Sequence, residues 1–154
     1  MEFITVKEFK EQSQEMQKVF LDWWKPSVGD LFTWIGQDKH NMSELGCCCS
    51  ELQAEITYKN KGVDNRIPLF TEGQLRKFIE DKLEQIHYEN DGRKIELDIT
   101  HNNGFTRIEE GIYGSAKGVK RVEWIIENEL SKKYDLIQAY WKVACIVAEE
   151  GLNG

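Results

Sequence analysis

The polar and apolar positions of this chain follow a helical period in some stretches and a strand period in others. The clearest helical stretch has apolar residues three or four positions apart: Leu75, Phe78, Ile79 and Leu83. Thr71 precedes this stripe and is placed to cap the helix, with Gln74 three residues later as in a capping box. Pro68 favours an extended conformation in the residue before it. The pattern predicts an extended segment that leads into a helix beginning near Thr71.

Two further helices are predicted, one near each end of the chain. Thr5 and Glu8 have the spacing of a capping box, and Pro26 ends the helix that they begin. The apolar face of this helix comprises Phe9, Met16, Val19, Phe20 and Trp23. The last helix is expected over residues 133–150, because a broad apolar face repeats there and Gly151 is a helix-ending residue.

Between these helices the period changes to two, which is typical of half-buried strands. The predicted strands cover residues 31–35, 54–59, 86–89, 94–100 and 105–112. Turn residues at 90–92 and 101–104 indicate hairpins. Residues 119–128 fit both periods, and we favour a strand. These elements predict a single α+β domain over residues 1–154, an α/β sandwich with a mainly antiparallel sheet and three main helices packed on it.

Length and charge narrow the classes of function. The chain has 154 residues and a formal net charge of −7, which disfavours general nucleic-acid binding because that relies on Lys and Arg side chains. A basic protein surface remains a possible partner. No apolar run approaches the roughly 20 residues of a membrane span, and the first residues lack a signal-peptide pattern. We therefore expect a cytoplasmic protein without a membrane partner.

Two segments resemble parts of small accessory proteins from phages and prophages of Firmicutes. They are the turn Trp24-Lys25-Pro26-Ser27-Val28-Gly29-Asp30 and the stretch Ile67-Pro68-Leu69-Phe70-Thr71-Glu72-Gly73-Gln74-Leu75. The second half, including Ala139-Tyr140-Trp141-Lys142-Val143-Ala144-Cys145, is similar to the phage domain described as an α/β/α (ABA) sandwich. The resemblance implies a phage or prophage origin and a compact sandwich. It implies no catalytic or binding residue, because these families are largely of unassigned activity.

The most enzyme-like group is Glu96, Asp98 and His101. Strand alternation puts the two carboxylates on one face, with an imidazole just beyond, and such a set can hold a divalent metal or perform acid–base chemistry. A solvated strand face beside a polar turn explains the same residues and is the interpretation that we favour.

Four residues are candidates for contact with a partner. Lys117, Lys120 and Arg121 form a small basic cluster in a glycine-containing loop, where they can touch a phosphate or simply be solvated. Trp24 lies off the apolar stripe of the first helix and is either a partner anchor or a core residue. The other tryptophans are expected in the core because each lies on a predicted apolar face: Trp23, Trp34, Trp124 and Trp141.

Three of the four cysteines are consecutive, Cys47, Cys48 and Cys49. This spacing does not suit one zinc ion, since paired zinc ligands are separated by two or more residues. On a strand, Cys48 points away from its two neighbours. A vicinal redox role is one interpretation, and small apolar residues in a reducing compartment are the favoured one. No metal or other cofactor is predicted.

The leading functional hypothesis is a non-enzymatic phage accessory protein that binds a host protein and modulates or inhibits it in the host cytoplasm. An anti-defence role is a candidate, with acidic residues around a hydrophobic anchor blocking a basic groove. The alternative is a small metal-dependent hydrolase or nucleotide-binding protein that uses Glu96, Asp98 and His101. A homo-oligomer formed through the last helix is a third possibility.

Overall fold

The computed structural model describes residues 2–35, 43–62, 65–87, 94–102, 105–113, 123–127 and 136–153. Of these, it describes the backbone alone at 35, 43–44, 86–87, 94–102, 105–113 and 123–127. The helices are α1 Val6–Lys10, α2 Gln14–Trp23, α3 Glu51–Asn60, α4 Glu72–His87 and α5 Leu136–Asn153. The strands are β1 Leu31–Ile35, β2 Ser43–Cys47, β3 Arg66–Pro68, β4 Lys94–Asn102, β5 Phe105–Tyr113 and β6 Glu123–Glu127.

The predicted α+β class and the antiparallel pairing are confirmed. The described residues form five helices and two three-stranded sheets, where one sheet with three main helices was predicted. The chain divides into two compact units, Met1–Thr71 and Glu72–Gly154. The single-domain organisation stays a prediction. None of the described helices is both long enough and apolar enough to cross a membrane.

The first unit begins with the predicted capping box, in which Thr5 and Glu8 each bond the backbone N–H of the other. The single helix predicted here is in fact two, because Ser13 caps a new helix with its hydroxyl. The side-chain amide of the buried Gln17 donates to the carbonyl of Gln12 at 2.7 Å, which satisfies a backbone group in the break. Helix α2 ends at Trp23, as the following proline requires.

The core of the first unit is an aromatic cluster around Phe70. Its ring centroid lies 5.8 Å from that of Phe20, 6.4 Å from that of Phe9 and 6.1 Å from that of Trp23. Phe70 lies two residues after the end of β3, so the cluster connects both short helices to the end of that strand. Burial of three phenylalanines stabilises the unit by several kcal/mol, since each contributes about 1.5–3 kcal/mol.

The first sheet has the order β2-β1-β3, and both pairings are antiparallel. The strand predicted over residues 54–59 is wrong, because these residues lie in helix α3. Ser50 caps α3 by accepting from the backbone N–H of Gln53 at 3.2 Å, and Ala54 and Thr57 are the residues that it buries. A six-residue alternation is too short to distinguish strand from helix when a capping serine precedes it.

The turn between α2 and β1 is organised by Asp30. Its carboxylate accepts from the indole Nε1 of Trp24 at 3.1 Å and from the backbone N–H of Ser27 at 3.0 Å. Its backbone carbonyl accepts from the N–H of Cys48 at 2.9 Å, just past the end of β2. Trp24 is buried, so its indole N–H needs this acceptor.

In the second unit α4 packs against α5, and strands β4, β5 and β6 form an antiparallel sheet in that order. The predicted stripe of α4 is buried at Leu75, Phe78, Ile79 and Leu83. The favoured strand at 119–128 is confirmed by β6. Two boundaries were wrong: α4 continues through the predicted strand start at Ile86, and α5 continues through Gly151.

We expect Asp30→Ala to lower the free energy of unfolding by about 2 kcal/mol, because it leaves a buried indole N–H without its acceptor. Chemical denaturation measures this change. Asp22→Ala is the control, since it removes a carboxylate whose ion pair with Lys18 is exposed, and it should cost less than about 1 kcal/mol. Equal losses in the two variants would contradict the role given to Asp30.

A second prediction compares two glycines. A Cβ at Gly46 would lie 2.5 Å from two ring atoms of Phe32, whereas one at Gly73 in α4 would meet nothing within 4 Å. Gly46→Ala should therefore destabilise the protein by about 1–3 kcal/mol through overpacking. Gly73→Ala should be neutral or stabilising by about 0.5 kcal/mol. Thermal unfolding of both variants tests the expected difference in sign.

Candidate functional site

The register of β1 and β3 places Arg66 directly opposite Trp34, and Pro68 opposite Phe32. Opposite residues of an antiparallel pair share one face of the sheet. The guanidinium carbon of Arg66 lies 4.8 Å from the ring centroid of Phe32 and 5.5 Å from that of Trp34. Arg66 therefore stacks on two aromatic rings of the neighbouring strand, in the range where a cation is attracted to an aromatic face.

Helix α3 provides the polar contact for this guanidinium. Arg66 Nη1 donates to the hydroxyl oxygen of Thr57 at 2.6 Å, and Thr57 is fully buried. Arg66 Nε is buried and has no hydrogen-bond partner among the described residues. No ion pair joins Arg66 to a carboxylate among the residues that the structure describes. The result is a half-buried cation that contacts aromatic rings of β1 and a hydroxyl of α3, and that no described carboxylate neutralises.

The residues around Arg66 continue onto the surface of α3. Lys61 forms a parallel bridge with Arg66, and its ammonium lies 4.6 Å from the ring centroid of Tyr58. The same ammonium donates to the carbonyl of Trp24 at 2.8 Å and to that of Leu21 at 2.6 Å, so it caps the end of α2. Burial lowers the pKa of Lys61 from its ordinary value.

Two of these aromatic residues are well exposed. Trp34 is 48% exposed and Tyr58 is 52% exposed. Together with Arg66 they form what we call the Trp34–Arg66–Tyr58 surface. The Arg66 guanidinium lies over the exposed Trp34 indole, and the Lys61 ammonium lies over the exposed Tyr58 phenol. Such a surface can bind a partner through aromatic contacts and a directed charge.

The partner-binding residues named from the sequence do not form this surface. Trp24 is only 1% exposed, so it is a core residue and offers no anchor to a partner. Lys117, Lys120 and Arg121 lie outside the described residues.

The enzyme-like residues Glu96, Asp98 and His101 all lie on β4, where they pair with Gly111, Glu109 and Thr106 of β5. The structure describes the backbone of these strands and not their side chains, so the enzyme site stays a prediction. No group of three His, Cys, Asp or Glu residues able to hold a metal occurs in the part of the chain whose placement is described.

Sequence reasoning missed the surface for identifiable reasons. Trp34 was assigned to the core, which is wrong, because β1 carries apolar residues on both faces and the pattern does not say which face is covered. Arg66 was not singled out, since a lone arginine at the start of a three-residue strand has no motif. The sequence does contain one signal, an arginine in one strand and aromatic residues in a second strand. This signal can be recognised only when the pairing of the two strands is known.

Cys47 and Cys49 are exposed and Cys48 is buried, although β2 ends at Cys47 and so does not include the other two. Cys48 Sγ donates to the Thr57 hydroxyl at 3.6 Å, and burial raises the pKa of this thiol. Burial also raises the pKa of Cys145 to about 12. A raised pKa reduces the thiolate fraction and hence the reactivity.

Comparisons with protein-family models, with curated proteins and with solved structures found no significant match to this chain. The chemistry of the described residues therefore carries the interpretation of the Trp34–Arg66–Tyr58 surface.

The thiols give a test of this arrangement. In the folded protein near pH 8, an aromatic disulfide reagent should modify Cys47 and Cys49 rapidly, and Cys48 and Cys145 only after denaturant is added. The coloured thiolate released counts the reacted groups. Cys47→Ala should remove one fast thiol, whereas Cys145→Ala should leave the fast count unchanged. Rapid modification of Cys48 would contradict its burial.

Proposed function

We propose that this protein is a non-catalytic accessory protein of a phage or prophage that binds a host protein in the host cytoplasm and modulates or inhibits it. The observation that carries the proposal is the Trp34–Arg66–Tyr58 surface. Trp, Arg and Tyr are the residue types that dominate the binding energy of protein interfaces.

The energetics of this surface favour binding. A flexible arginine loses rotamer freedom when it binds, at a cost of about 0.5–1.5 kcal/mol. Arg66 is already restrained by its contacts with Phe32, Trp34 and Thr57. Most of its rotamer freedom is therefore lost on folding, and little remains to be lost on binding. The exposed indole of Trp34 supplies large apolar contact area with few rotatable bonds.

The charge of the chain supports a partner of a particular kind. A net charge of −7 attracts a basic protein surface and accelerates its association. A basic groove that normally holds nucleic acid is such a surface. Blocking that groove is the inhibitory mechanism that we propose, and an anti-defence role follows if the groove belongs to a host defence protein.

Affinity purification from lysates of candidate host bacteria, followed by titration calorimetry with the recovered protein, tests this function. Trp34→Ala should weaken binding by about 30-fold, the equivalent of about 2 kcal/mol at a hot spot. Leu152→Ala is the matched control, because Leu152 in α5 is 47% exposed and lies in the other unit. Its affinity should be unchanged.

Circular dichroism and thermal unfolding must show that Trp34→Ala remains folded. Equal affinities of the wild type and Trp34→Ala for the recovered protein would show that the interface lies elsewhere than this surface. Failure to recover any stoichiometric partner from several hosts would argue against the function itself. Light scattering on the purified chain measures its oligomeric state and so shows whether self-association contributes to either result.

A further inference from the structure

The unmet hydrogen-bonding capacity of Arg66 indicates what the partner must present. A guanidinium has five N–H donors, and a single hydrogen bond, from Nη1 to Thr57, is made to a described residue. Nε is the one described side-chain nitrogen or oxygen that is both buried and unpaired. Nη2, which makes no hydrogen bond to a described residue, therefore keeps contact with the surface. A half-buried cation that no described carboxylate neutralises is costly, and a bound anion would reduce that cost.

We propose that Arg66 is the recognition point for a carboxylate side chain, Asp or Glu, of the protein partner, with Trp34 covering the pair. This inference rests on the proposed protein-binding function and specifies its chemistry. The carboxylate would accept from the terminal nitrogens, because Nε is buried. Its charge would neutralise the whole delocalised guanidinium, including the buried Nε.

The restraints on the Arg66 guanidinium favour a planar anion at a fixed position. Phe32 and Trp34 hold the guanidinium plane from β1, while Thr57 fixes one terminal nitrogen from α3. A restrained planar donor matches the two oxygens of a carboxylate, and this complementarity distinguishes arginine from lysine. The half-exposed Trp34 would exclude water from the ion pair and strengthen it, as surrounding contacts do at hot spots.

Charge selects a carboxylate over a polyanion. Binding to nucleic acid depends on several Lys and Arg residues that neutralise successive phosphates. The ammonium of the neighbouring Lys61 is already bonded to the carbonyls of Leu21 and Trp24, and the chain has a net charge of −7. A single acidic side chain in an otherwise basic partner surface matches both features, since the acidic chain attracts the basic surface and Arg66 fixes the register.

The test uses the full-length ¹⁵N-labelled protein and propionate, which reproduces the end of a glutamate side chain. The Nε–H signal of Arg66 reports the site, because a buried N–H exchanges slowly with water, and its loss in Arg66→Lys assigns it. We expect a saturable shift with sodium propionate and none with sodium chloride at equal ionic strength. The Nε–H of Arg76, which is bonded to Glu80 at 3.1 Å, is the internal control and should shift little.

Three results would overturn the assignment. An Arg66 shift no larger than that of Arg76 would mean that no carboxylate binds there. An equal response to chloride would mean screening rather than recognition. Tighter saturation by inorganic phosphate than by propionate would replace the carboxylate with a phosphorylated partner group.

The recovered partner gives a second, independent measurement. Arg66→Gln should weaken its binding by about tenfold or more, and Arg66→Lys should restore only part of the loss, because lysine keeps the charge but not the planar donors. The partner could bind the wild type and Arg66→Gln with equal affinity and Trp34→Ala more weakly. That result would support the protein-binding function and contradict the role given to Arg66. Propionate titration of the wild type remains decisive if Arg66→Gln does not fold.

Discussion

The antiparallel pairing of β1 with β3 is the constraint on which the first unit depends. It places Arg66 across from Trp34 on one face of the sheet, and it continues beyond β3 through the bond from Leu69 N–H to the Leu31 carbonyl at 3.0 Å. That bond fixes the chain just before Phe70, the centre of the aromatic core. A slip of one residue would exchange the faces of β3, which would remove Arg66 from its aromatic neighbours.

The same pairing makes a half-buried arginine tolerable. Desolvating a cation without a carboxylate costs several kcal/mol if nothing compensates. Two aromatic contacts return about 0.5–2 kcal/mol each, and the bond to the buried Thr57 adds a charge-assisted contribution. These terms reduce the cost without removing it, since Nε stays unpaired. Arg66 therefore lies where the folded protein tolerates a cation and where a bound anion would offset the remaining desolvation cost.

Local rules predicted much of the fold, and long-range packing decided the rest. The capping box at Thr5 and Glu8 and the stripe of α4 depend on residues at most a few turns apart, so the sequence was sufficient for both. The break before α2 and the helix α3 depend on serine caps that compete with a continuing pattern. The candidate site was inaccessible to such rules, because Arg66 and Trp34 are brought together only by strand pairing.

The exposure of Trp34 is the last point that separates a structural role from a binding role. A residue needed only to stack on the Arg66 guanidinium could be phenylalanine, since Phe32 already provides one such ring. Trp34 is 48% exposed and presents more apolar area than stacking requires, and exposed tryptophan carries a solubility cost. A partner that covers Trp34 would bury that excess area and desolvate the Arg66 cation in the same step. Under the proposed function, a single interface would account for both the exposed ring and the charge that no described carboxylate neutralises.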